Sequence, residues 1–130
     1  MKKVILSLAI IAAVGFTGCK NDSKQKTETT EVSNVIANRT LSFGVRGNCG
    51  MCKNTIEKAA HAVEGVVNAT WDVDKKKIEV SFNDTKTNAA KIHNAIAASG
   101  YDTEKVSGSA DAYKGLPACC QYDHEMTMNQ

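Results

Sequence analysis

The spacing of apolar residues between positions 41 and 106 constrains the fold of this chain most strongly. It alternates between the period of a strand and the period of a helix. The predicted elements are strand 41–46, helix 52–64, strands 67–73 and 78–82, helix 88–99 and a short, poorly alternating strand at 101–106. This β-α-β-β-α-β order predicts an α+β domain in which two helices cover one face of a four-stranded antiparallel sheet.

Composition supports one small globular domain and argues against a nucleic-acid partner. Of the 130 residues, 42% are apolar and 23% are charged, which is typical of a folded protein. Without Lys2 and Lys3 the basic and acidic residues balance, so the chain lacks the excess positive charge that phosphates attract. Trp71, Phe43 and Phe82 are predicted to fill the core together with the branched aliphatic residues.

The N-terminal segment is predicted to be an export signal. Residues 1–18 contain two lysines and then an apolar stretch that is too short for a comfortable membrane span. Small residues before Cys19 resemble the lipobox of bacterial lipoproteins, which implies cleavage before Cys19 and lipidation of its sulfur. The alternative is a plain secretory peptide with an incidental cysteine. Residues 19–40 are polar and are predicted to form a flexible tether to a membrane surface.

Cys49 and Cys52 form a C-x-x-C pair between the first strand and the first helix. A helix N-terminus favours the thiolate over the thiol, and two thiolates at this spacing can converge on one soft ion. Two ligands leave an open site that a partner's thiolate can enter, and soft sulfur ligands favour Cu(I). A zinc half-site, a redox dithiol and a structural disulfide remain open as alternatives.

The region 41–106 resembles the heavy-metal-associated domain family, which includes copper chaperones, N-terminal modules of metal-pumping ATPases and periplasmic mercury-binding proteins. The matching segments are Gly47 to Cys52, Ile56-Glu57, Gly65-Val66, Trp71 to Val73, Ile78 to Val80 and Gly100 to Asp102. The resemblance implies a ferredoxin-like fold and a metal ion held by Cys49 and Cys52. Two positions depart from the family pattern: no methionine precedes Cys49, and Tyr101 stands where soluble copper chaperones tend to carry a lysine.

The C-terminal segment contains a second group of soft ligands. These are Cys119, Cys120, His124, Met126 and Met128. Sulfur and imidazole ligands suit copper, so the tail is predicted to supply further metal ligands or to pass an ion to the C-x-x-C pair. The alternative is a loose tail whose adjacent cysteines are oxidised or paired with another chain. His93, on the second helix, is predicted to be solvated.

These observations predict a metal-binding protein that performs no catalysis. The predicted divisions are a signal peptide at 1–18, a lipidated tether at 19–40, a heavy-metal-associated domain at 41–107 and the tail at 108–130. We expect a monomer, lipid-anchored in the bacterial cell envelope, that passes Cu(I), or else Hg(II) or Zn(II), to a metal-transporting ATPase or efflux pump. A mercury scavenger and a thiol-disulfide oxidoreductase using the same C-x-x-C pair are the alternatives.

Overall fold

A computed structural model describes residues 36–129. The predicted signal peptide, the predicted lipidation site Cys19 and most of the predicted tether lie outside these residues. The elements are β1 (Arg39–Gly44), α1 (Gly50–His61), β2 (Val66–Asp72), β3 (Lys77–Phe82), α2 (Ala89–Ala98), α3 (Ala110–Lys114) and a 3-10 turn, Ala118–Cys120. Strand β1 therefore begins slightly before the predicted domain boundary at residue 41. No helix within residues 36–129 is long and apolar enough to cross a bilayer.

The three strands form an antiparallel sheet in the order β1-β3-β2. Phe43 and Trp71 both pair with Ile78 of the central strand, so their side chains project from the same face of the sheet. All three are essentially inaccessible to solvent, which confirms the predicted core. Helix α1 packs on β2 and α2, and the α+β prediction holds with two main helices and a three-stranded sheet.

The predicted fourth strand at 101–106 does not form within the described residues. Its only ladder contact is a single antiparallel bridge between Val45 and Thr103. The Thr103 amide instead donates to the Val106 carbonyl at 2.8 Å, and the Asp102 carboxylate accepts from the Gly108 amide at 2.7 Å. These local bonds turn the backbone at a place where a strand would be extended. The poor alternation of apolar residues in the sequence there agrees with this irregular structure.

Helix α2 begins where the sequence predicts, because the Asn88 side chain accepts a hydrogen bond from the Lys91 amide at 3.1 Å. The prediction for His93 is wrong. Its side chain is buried, its Nδ1 lies 2.9 Å from the Thr103 hydroxyl, and its ring centroid is 3.8 Å from that of Phe43. Burial lowers the pKa of His93, so the ring stays neutral in the core.

The C-terminal segment packs onto the domain and supplies two residues to its core, Cys120 and Tyr122. The Tyr122 hydroxyl donates to the Gly100 carbonyl at 2.9 Å and accepts from the Asp102 amide at 2.7 Å. Gly100 has a φ of +97°, and a Cβ there would lie 2.8 Å from the Tyr113 nitrogen of α3. Glycine at position 100 therefore permits both the turn after α2 and the close approach of the tail.

Candidate metal centre

Cys49 occupies the N-cap position of α1, where the extended backbone of the loop becomes helical. Its sulfur accepts no capping hydrogen bond of good geometry, but the backbone N–H groups of Cys52 and Met51 lie close to it. These N–H groups lower the pKa of Cys49 to about 7, against an opposing contribution from desolvation. A large fraction of Cys49 is therefore thiolate at neutral pH, which is the form that binds metals.

Cys52 lies one helical turn further along, and its side chain is fully buried. Its Sγ atom is 3.8 Å from that of Cys49 and 3.3 Å from the backbone nitrogen of Asn48, which donates to it. A Cβ at Gly47 would approach both the Cβ of Cys52 and the Trp71 ring at 3.1 Å. A side chain at position 47 would therefore crowd Cys52 and the Trp71 ring, and glycine lets the loop pack closely against them.

The tail brings a second pair of thiols to the same place. The Sγ atoms of Cys49, Cys119 and Cys120 all lie within 4.8 Å of one another, and those of Cys119 and Cys120 are 3.9 Å apart. All the cysteines within residues 36–129 are free. Cys119 is exposed and Cys120 is buried, and burial raises the pKa of Cys120 to about 12.

Two further side chains border the thiols, and sequence reasoning assigned neither of them to the site. The Tyr101 hydroxyl is buried near the thiols of Cys52 and Cys120, and it has no hydrogen-bond partner among the described residues. The Met51 Sδ atom lies 3.8 Å from the Cys119 Sγ atom. Tyr101 carried a signal in the sequence, because it departs from the pattern of soluble copper chaperones at that position.

The structure separates the remaining predicted ligands of the tail from this group of thiols. The Nδ1 atom of His124 lies 2.7 Å from the Asp102 carboxylate, which also contacts Arg46 at 3.2 Å. The Arg46 Nε donates to the Met126 carbonyl at 2.7 Å, and the Met126 side chain packs against the core. Met128 packs over Gly44 on β1. His124 and the two methionines thus help to hold the tail against the domain.

The arrangement offers sulfur from four cysteines, with a thioether at its edge. Such ligands prefer soft ions, whereas Mg²⁺ and Ca²⁺ require oxygen ligands. One sulfur is already acidic enough to ionise near neutral pH, and a bound ion can displace the protons from the others. The site is therefore chemically suited to hold a thiophilic cation.

Comparisons with known proteins agree with this chemistry. The profile of the family described as "Heavy-metal-associated domain" matches residues 47–102. The mercuric transport protein periplasmic component of Shigella flexneri is 32% identical over 102 residues, which span 78% of this chain and 93% of the relative. Its counterpart from Acinetobacter calcoaceticus is 36% identical over 102 residues, which also span 78% of this chain and 93% of the relative. The copper chaperone CopZ of Staphylococcus aureus is 31% identical over 55 residues, 42% of this chain and 81% of CopZ.

Proposed function

We propose, since this chain belongs to the heavy-metal-associated domain family, that it binds a thiophilic metal ion through Cys49 and Cys52 and then transfers or sequesters it. The observation that carries the proposal is the placement of the two sulfurs. They lie 3.8 Å apart at the start of α1, and backbone N–H groups stabilise one of them as a thiolate. Binding needs no further reaction, so the protein acts as a carrier rather than an enzyme.

The proposed ion is Cu(I), with Hg(II) as the second candidate and Zn(II) as the third. Thiolate ligands select Cu(I) among the transition metals of cells, and CopZ is named as a copper chaperone. A specific observation favours Hg(II) as well. The two mercuric transport relatives align with 78% of this chain, whereas CopZ aligns with 42% of it.

We further propose that the protein works as a monomer in the bacterial cell envelope, anchored through a lipid on Cys19, and that its partner is a metal-transporting ATPase or an efflux pump. The proposed location rests on the lipobox-like sequence before Cys19 and is compatible with the name of the periplasmic mercuric transport relatives. Mass spectrometry of the mature N-terminus tests the anchor, since lipidation adds a diacylglycerol mass to Cys19. An unmodified Cys19 would overturn it.

The test of metal binding is a competition titration. The full chain, reduced and kept without oxygen, is titrated with Cu(I), Hg(II) and Zn(II) against a chelator of known affinity for each ion. We expect tight uptake of at least one ion by the wild-type chain and by the control Asn54→Ser, which changes an exposed residue of α1. We expect the double variant Cys49→Ser/Cys52→Ser to lose that uptake. Equal uptake by the double variant would contradict the proposal.

The same preparations distinguish the carrier from a thiol-disulfide oxidoreductase. The oxidoreductase would use the Cys49–Cys52 pair to reduce a disulfide, so it would turn over insulin in the presence of a reductant. The carrier is expected to bind metal and to leave insulin intact at the rate of the uncatalysed control. Insulin turnover without tight metal uptake would favour the enzyme.

A further inference from the structure

We infer that Cys119 and Cys120 join Cys49 and Cys52 in a single multi-thiolate site, so that the C-terminal segment closes over the bound ion. This inference rests on the proposed function, because it concerns how the same ion is held. It adds ligands from a part of the chain beyond residues 47–102, where the family profile matches. A site closed in this way is built to retain its ion.

The separations between the sulfur atoms support a site of at least three ligands, because the Sγ atoms of Cys49, Cys119 and Cys120 all lie within 4.8 Å of one another, and Cys52 borders this group at 3.8 Å from Cys49. Four thiolates arranged as a tetrahedron, each about 2.3 Å from the ion, would lie about 3.8 Å from one another. Two thiolates on opposite sides of a linear ion, at that bond length, would be about 4.6 Å apart. The observed distances are 3.8 Å between Cys49 and Cys52 and 3.9 Å between Cys119 and Cys120. Both pairs are therefore spaced like ligands of the higher-coordinate arrangement.

The Tyr101 hydroxyl is an independent indication of a ligand. The residue is completely buried, and its hydroxyl lies near the thiols of Cys52 and Cys120 without a hydrogen-bond partner among the described residues. A buried hydroxyl without a partner is destabilising, so its retention calls for an explanation. Thiolates bound to a cation provide one, because a charged sulfur accepts a hydrogen bond more strongly than a thiol does.

The tail is held in place before any ion binds. The side-chain amide of Asn48 donates to the carbonyl of Cys119 at 3.2 Å and to that of Gln121 at 3.4 Å. Tyr122 then anchors the following segment in the core through its bonds to Gly100 and Asp102. Because the second pair of thiols is already ordered, binding an ion costs little conformational entropy.

The closed site changes how the ion can leave. A two-thiolate site has room for a partner's thiolate, which can attack the ion and take it by ligand exchange. When Cys119 and Cys120 fill that room, the partner must first displace a tail thiolate. We therefore expect slow release, and we expect removal of the tail thiolates to speed the transfer to a competing chelator.

X-ray absorption spectroscopy of the full chain loaded with Cu(I) or Hg(II) tests the inference, because it counts the sulfur atoms around the ion. Four forms are compared: the wild type, Cys119→Ser, Cys119→Ser/Cys120→Ser, and the control Ala118→Ser in the same exposed turn. We expect three or more sulfur ligands in the wild type and the control, and two in the double variant. The affinity of the double variant for the ion should fall by more than about tenfold, since losing even a residue that supports a metal ligand indirectly lowers metal affinity about 10–100-fold.

The outcomes separate this inference from the proposed function. Two sulfur ligands in every form would overturn the closed site and leave binding by Cys49 and Cys52 intact. If the wild type takes up no ion, the proposed function itself fails. Should the buried substitution at Cys120 prevent folding, the exposed Cys119→Ser variant decides alone. Loss of one sulfur ligand and faster release support the inference, whereas an unchanged sulfur count and release rate overturn it.

Discussion

Cys49 and Cys120 belong to two neighbouring pairs of cysteines and their sulfur atoms lie within 4.8 Å of each other, yet their environments shift their acidities in opposite directions. Backbone N–H groups lower the pKa of Cys49 to about 7, whereas burial raises that of Cys120 to about 12. The difference shows that access to donors and water, rather than the thiol itself, decides which sulfur carries charge before the ion arrives. Cys49 can therefore begin to capture an ion near neutral pH, whereas Cys120 gives up its proton only when the ion replaces it.

The pairs also differ in how the chain positions them. Cys49 and Cys52 are placed locally, by the loop that ends β1 and by the first turn of α1. Cys119 and Cys120 are placed by contacts with residues far away in sequence, such as the bond from Asn48 to the Cys119 carbonyl. A local arrangement survives changes elsewhere in the molecule, whereas the second pair depends on the docking of the whole tail.

The largest expected effect comes from separating the pairs with Gly100→Ala. The backbone at position 100 has a positive φ that alanine disfavours, and the new Cβ would lie 2.8 Å from the backbone of α3, so the tail must move. We expect the free energy of unfolding, measured by denaturant titration, to fall by roughly 3 kcal/mol. Gly115→Ala is the matched control within the tail, because its φ is negative and its Cβ would have ordinary contacts. Equal stability of the two variants would contradict the docked position of the tail.

Alkylation of the metal-free chain compares the acidity of Cys49 and Cys120 directly. Iodoacetamide reacts with thiolates, so the rate at Cys49 should rise through pH 7 and level off above it, while Cys120 stays mostly protonated up to pH 9. At pH 8 we expect Cys49 to react about a hundredfold faster, because the lower nucleophilicity of an acidic thiolate offsets part of its larger population.

Peptide mass spectrometry assigns that reaction to each sulfur. In the control Cys52→Ser, Cys49 should keep most of its acidity, since the largest contribution comes from the backbone N–H of residue 52 and remains in the variant. Similar alkylation rates at Cys49 and Cys120 would contradict the opposite shifts of their two pKa values.

Two buried tyrosines provide a matched pair of smaller effects. Tyr122→Phe leaves the Gly100 carbonyl and the Asp102 amide without their partner, so the free energy of unfolding should fall by about 2 kcal/mol. Tyr101→Phe removes a hydroxyl that has no oxygen or nitrogen partner, so the metal-free protein should change by less than about 0.5 kcal/mol. In Tyr101→Phe the loss should appear in metal affinity instead. A large loss of stability in the metal-free Tyr101→Phe protein would contradict this assignment.

A smaller loss of stability than that of Tyr122→Phe is expected for Asn48→Ala, which removes the amide that joins the two pairs. Its hydrogen bonds to the Cys119 and Gln121 carbonyls are exposed, so the cost in stability should be about 0.5–1 kcal/mol. Hydrogen exchange at residues 118–122 measures the loosening directly. Asn54→Ala, on an exposed face of α1, serves as the control and should leave this exchange unchanged.

Local pattern predicts most of the fold. The strands around Phe43, Trp71 and Ile78 and the helix through Ile92 follow from apolar spacing alone, because each buries one face. The sequence at 101–106 alternates poorly, and the structure has only a bridge at Thr103. Apolar spacing does not predict the burial of His93, because that burial depends on Thr103 and Phe43, which lie on other elements.

The candidate site likewise has one part that the local sequence pattern predicts and another part that it does not. The C-x-x-C spacing and its position at the start of a helix identify Cys49 and Cys52 as candidate ligands from sequence alone. The side chains of Tyr101 and Cys120 meet only because the tail folds back, and no local period encodes that return. The sequence grouped His124 with the cysteines by residue type, whereas the carboxylate of Asp102 binds it in the folded chain.

The packing of Tyr122 and Cys120 into the core has a practical consequence for recombinant fragments. A fragment that stops at Asp102, where the family profile ends, would discard both side chains and uncover the ring of Tyr101. It would also present Cys49 and Cys52 to solvent without their neighbours. Affinities and transfer rates measured on such a fragment would therefore describe a more open, less stable molecule than the chain that retains its C-terminal segment.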